Sequence, residues 1–99
     1  MSRQRMCVVN SELVEEIAPL VGSQAEIMTR VGISWNSWVK ISGGLPVRVS
    51  VGERLRSRVL ERAEDLPGLR DKFPPAGDGQ VDREALERAF LKPVVLESA

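Results

Sequence analysis

The sequence predicts an all-α fold, a compact domain of four to five helices with one further helix beyond a Pro/Gly-rich linker. Three observations carry that expectation. Apolar residues recur at three- and four-residue spacing in five segments, and each segment opens on Ser, Asn or Asp. Gly or Pro punctuates the segment ends, while the one alternating stretch, Val47-Arg48-Val49-Ser50-Val51, runs into a helix cap. Ninety-nine residues with 42% hydrophobic content suit a single core.

Asn10 or Ser11 caps the first helix, whose apolar positions are Leu13, Ile17, Leu20 and Val21; Pro19 should kink its last turn. Ser23 caps a short second helix with Ile27, Met28 and Val31 inward, and Gly32 supplies a tight turn. Ser34 caps a third helix to about Ile41 or Ser42, with Trp38 and Ile41 as its buried edge and Gly43-Gly44 as its stop. Ser50 and Glu53 have capping-box spacing, so a fourth helix should open at Ser50, carry Val51, Leu55, Val59 and Ala63 inward, and end at Leu66-Pro67-Gly68. After the Pro- and Gly-rich stretch, Asp82 caps a fifth helix with Val81, Ala85, Leu86, Ala89 and Phe90 on one side. The organisation expected is a flexible basic arm at 1–9, a domain at 10–66, a linker at 67–81, and a C-terminal helix and tail at 82–99.

With no histidine and one cysteine, the chain lacks the residues for a Cys/His zinc site or a His-dependent nucleophilic pair, so neither an enzyme nor a cofactor is expected. Cys7 has no partner for an internal disulfide and reads as a small buried hydrophobe before a redox sensor. There is no apolar run of membrane-spanning length and no signal-peptide pattern, so the expected location is cytoplasmic, without a membrane partner.

Formal net charge is zero, which at first argues against a nucleic-acid ligand. The distribution reverses that. Residues 31–63 hold Lys40, Arg48, Arg54, Arg56, Arg58 and Arg62 against only Glu53 and Glu61, and residues 11–30 and 64–99 are each net acidic. Positive potential is therefore concentrated where a short helix, a glycine turn and a Ser-capped helix stand in succession, the arrangement of a helix-turn-helix.

Gln24 through Gly44 resembles the helix-turn-helix of lambda-repressor-like proteins, the XRE family of phage and bacterial regulators. Gln24 matches the motif's opening glutamine, Ile27 and Val31 its buried positions, Gly32 its turn, and Ile33 and Ser34 its entry to the recognition helix. Trp38 and Ile41 match the buried recognition-helix positions and Gly44 the closing glycine. Met28 stands where the family usually has alanine and Trp38 where it has Ile or Val, so a wider helix crossing is expected, filled by both side chains.

The resemblance places base contacts on Trp35, Asn36, Ser37 and Lys40, and phosphate contacts on Gln24 and Ser34. Asn36 can pair with adenine N6 and N7, Lys40 can donate to guanine, and Trp35 offers apolar area to a thymine methyl or, equally, packs against the protein. Arg48, Arg54, Arg56 and Arg58 surround the start of the fourth helix as a phosphate clamp or, on the plainer reading, a solvated face. Arg3 and Arg5 reach DNA as an arm or stay disordered.

The function expected is a sequence-specific, double-stranded-DNA-binding transcription regulator, repressor before activator. An activator would show a surface to RNA polymerase, and Glu12, Glu15, Glu16 and Glu26 offer one. The fifth helix is too short to stand alone, so it buries itself on the same chain, a second copy or another protein. Dimerisation is the first choice, and a homodimer implies a palindromic operator. The alternative is an interaction module, such as an antitoxin or phage adaptor, acting through that helix.

Overall fold

Met6–Val9 is a β-strand, β1, and it lies in the middle of a three-stranded antiparallel sheet. The computed structural model describes residues 5–73 and 81–93. Cys7 and Val9 turn into the core while Met6 and Val8 are half-buried, the period of two that a strand requires. On one side Cys7 pairs with Val47 of β2 (Val47–Arg48), and on the other Val9 pairs with Leu91 of β3 (Leu91–Pro93). The fold is thus mostly helical, in broad agreement with the all-α expectation, with a small sheet that the expectation did not include. It also corrects the flexible arm: residues 6–9 are a central strand, and Arg3 lies outside the described residues.

Helix α1 (Ser11–Val21) begins where Asn10 Oδ1 accepts the Glu12 amide over 3.0 Å, and it continues through Pro19 to Val21. Asn10 also joins the two ends of the chain. Its Nδ2 donates to the Ala89 carbonyl over 3.0 Å and its backbone N–H to the Phe90 carbonyl over 2.8 Å. Helix α2 (Ile27–Val31) starts later than expected, because Ser23 opens a turn over residues 24–26 rather than the helix itself. Gly32 follows at φ 70°, a left-handed conformation that glycine adopts without a Cβ penalty. Helix α3 (Trp35–Ser42) is capped by Ser34 as expected.

Helix α4 (Val49–Glu61) opens one residue before Ser50, with Arg48 as its N-cap and no side-chain cap. The strand geometry of Val47–Arg48 delivers the chain into the helix there, so the Ser50/Glu53 capping box does not form. A 3₁₀ turn (Ala63–Asp65) and helix α5 (Pro67–Lys72) occupy what was expected as the end of the fourth helix and the start of a linker. Pro67 stands at the first helical position, where its missing N–H costs nothing. The remainder of that linker, 74–80, and the tail, 94–99, lie outside the described residues.

Helix α6 (Arg83–Phe90), capped by Asp82 as expected, buries Leu86 and Phe90 against the same chain, the first of the three destinations considered for it. It packs on α4, and α4 packs in turn on β1. That crossing is close. A Cβ on Gly52 would lie 2.6 Å from Cys7 Sγ and 2.9 Å from Leu91 Cδ2, so the helix can sit this near the sheet only with glycine. One cluster of buried side chains runs from Cys7 through Leu13, Ile17, Trp38, Leu55 and Leu69 to Phe90, and among the described residues it holds no polar side chain. Among those residues, no helix is long and apolar enough to cross a membrane.

Candidate nucleic-acid interface

Helix α3 turns Trp38 and Ile41 into the core, and that fixes which side faces out. At about 100° per residue, Asn36 and Lys40 fall together on the opposite side, four residues and one turn apart. Both are exposed. Side chains at this spacing have Cβ atoms about 5–6 Å apart, so the amide and the ammonium form one polar face.

The other two expected base readers are placed differently. Trp35 is half-buried and packs against the core, which accounts for part of its side chain and leaves the rest at the surface of α3. Ser37 is half-buried, and its hydroxyl lies 3.0 Å from Ser34 Oγ, which also accepts the Ser37 amide over 3.2 Å. The two serines thus close the first turn of α3 upon themselves. Val39, 53% exposed on the flank of the Asn36/Lys40 face, was missed. Its signal was available in the sequence: it follows buried Trp38 by one residue, about 100° round the helix and off the core side.

Met28, expected inward, is 59% exposed. Ile27 and Val31 are four residues apart and bury the single stripe that a five-residue helix can offer, leaving Met28 outside it. Met28 therefore does not fill the crossing as expected, whereas Trp38, 8% exposed, is buried in the core.

The four arginines expected as one clamp divide into three positions. Arg54 donates from Nη1 to the Gly32 carbonyl over 3.1 Å, and Arg58, one turn further along α4, reaches the same turn. Arg58 also lines a groove with Arg30, Glu61 and Arg62 between α4 and the ends of α1 and α2. Arg48 stands at the start of α4 beside Arg5, whose carbonyl accepts the Val49 amide over 3.1 Å. Arg56 points elsewhere. It lies 3.9 Å from Glu53 and borders a depression with Glu84, Glu87 and Arg88 of α6.

Gln24 is exposed in the turn that precedes α2, next to a small polar lock. There the Ser23 hydroxyl donates to Glu26 over 3.0 Å, and the Arg30 guanidinium meets the same carboxylate over 2.7 Å. The Ser23 hydrogen bond, with Arg30 adding to it, holds the Glu26 carboxyl below the usual carboxylate range. Arg30 also donates to the Pro19 carbonyl over 3.4 Å, which ties α2 back to α1.

No protein-family model matches the chain, and no curated protein or solved structure is significantly similar to it. What this face can do chemically follows from its own residues. An amide that both donates and accepts and an ammonium on α3, with two guanidinium groups one turn apart on α4 at the turn that precedes it, are groups that can meet base edges and phosphates.

Proposed function

We propose that this chain is a lambda-repressor-like, sequence-specific regulator that binds double-stranded DNA with α3 in the major groove. The single observation that carries the reading is the outward Asn36/Lys40 face of a Ser-capped helix, set behind a left-handed glycine turn at which Arg54 and Arg58 of α4 converge. A major groove about 12 Å wide admits such a helix, and Asn and Lys are side chains that read adenine and guanine edges there. Arg54, Arg58 and Arg48 supply phosphate contacts at the rim, with Gln24 and Ser34 at the start of the motif. Arg56 is assigned no DNA contact.

A repressor is favoured, since occupying a promoter needs no further surface. As a homodimer the protein would hold two α3 helices about 34 Å apart on a palindromic site, in the cytoplasm. The adaptor reading, and with it dimerisation through α6, loses its main support, because the apolar side of α6 is already buried in its own chain.

The test is fluorescence anisotropy with random duplex DNA and with duplexes enriched from a random pool, across a salt series. The expected result is tighter binding to the enriched duplex, with affinity falling steeply as salt rises; each phosphate neutralised steepens the log–log slope by about 0.9. Absence of duplex binding even at low salt would overturn the proposal.

A further inference from the structure

Val39 is a β-branched residue in the middle of an eight-residue helix, more than half exposed. In that position it loses rotamer freedom to the preceding turn and gains little from the core in return. More than half of its surface is free for a contact outside the chain. It lies three residues after Asn36 and one before Lys40, so its two methyl groups border the polar face described above.

Resting on the DNA-binding reading, we infer that Val39 is a specificity-determining residue that contacts the C5-methyl group of a thymine. The chemistry follows from what the major groove displays. Thymine is the one base that presents an apolar group there, and its pairing partner adenine presents the N6/N7 edge that an asparagine amide matches. A valine neighbouring an asparagine on one helix face therefore reads an A·T pair, or two adjacent ones, by two independent contacts. Trp35, the other apolar candidate for this role, is half-buried against the core, whereas Val39 is more than half exposed, and the Ser37 hydroxyl is engaged with Ser34.

The experiment uses the full chain and a duplex enriched from a random DNA pool, with each thymine replaced in turn by deoxyuridine, which lacks only the methyl group. At one thymine per half-site the substitution should weaken wild-type binding about fourfold, the effect of losing burial of one methyl group. Val39→Ala, which removes both γ-methyl groups and keeps only Cβ, should show a clearly smaller difference between the thymine and uracil duplexes at that position. Substitution at an exposed helical site by a better helix former leaves the fold intact. Specific, salt-sensitive binding that is indifferent to every thymine-to-uracil change overturns the role of Val39 alone, as does a Val39→Ala variant that keeps the penalty. Failure to enrich any duplex overturns the DNA-binding reading and this inference with it.

Discussion

Arg54 of α4 donates a hydrogen bond to the carbonyl of Gly32 over 3.1 Å, so the longest helix is tied to the turn that sets α3 against α2. A Cβ at Gly32 would lie 3.1 Å from Arg54 Cδ, a flexible side chain that can give way, but φ 70° remains unfavourable for any other residue. Gly32→Ala should destabilise the protein by about 1–2 kcal/mol from backbone conformation alone. Arg54→Ala removes one exposed hydrogen bond and should cost about 1 kcal/mol or less. Urea denaturation of the two variants checks the order.

Gly52 presents the opposite case, a glycine required by space. In Gly52→Ala the new methyl group meets Cys7 Sγ and Leu91 in a filled core, and overpacking of this kind costs about 1–3 kcal/mol despite the better helix propensity of alanine. Cys7→Ala removes the nearest of these atoms. The double variant should therefore be more stable than the two separate losses predict, a favourable coupling that a double-mutant cycle of unfolding free energies measures.

Asn10 serves α1 and α6 at once, through its cap to Glu12 and its amide bond to the Ala89 carbonyl. Asn10→Ala should lose about 1–2 kcal/mol, near the upper end for a cap. Asp82→Ala, which removes a cap with no second side-chain hydrogen bond among the described residues, should lose less. Thermal melts of both variants decide it.

Burial, with the Glu53 carboxylate adding to it and Arg56 opposing, pushes the Cys7 thiol above its ordinary value. A raised folded-state value favours the protonated thiol, so this contribution to stability is whole below the unfolded thiol's pKa and is lost as pH rises through the folded one. Wild-type stability should fall more steeply than that of Cys7→Ala above about pH 8.5. Urea midpoints at several alkaline pH values give the comparison.

The parts legible in the sequence are those set by contacts within one turn of helix. Asn10, Ser34 and Asp82 cap their helices through bonds to amides two or three residues on, and Gly32 needs no partner at all to favour its turn. The sheet was not legible, because Met6–Val9 takes its partners from about forty residues away on one side and over eighty on the other. Pro67-Gly68 carried a local ambiguity, since proline both follows helix ends and opens new helices. At Gly68 the neighbour is distant in sequence: the Glu16 carboxylate, the end of a flexible side chain, lies over the Cα. At the candidate interface, Asn36 and Lys40 followed from the α3 period, and the α4 period likewise sets Arg56 about 200° round the helix from Arg54 and Arg58; that α6 docks beside Arg56 was not legible, because it is a contact between segments distant in sequence.

The most direct measurement is the binding of wild type and of an Asn36→Ala, Lys40→Ala double variant to one enriched duplex and to random duplex, by anisotropy at a single moderate salt concentration. Both residues are exposed, so the variant should keep the wild-type melting temperature. The account predicts that it loses the preference for the enriched duplex while still binding random DNA weakly through its arginines. A variant that folds and retains the full preference would contradict the assignment of α3 as the reading helix.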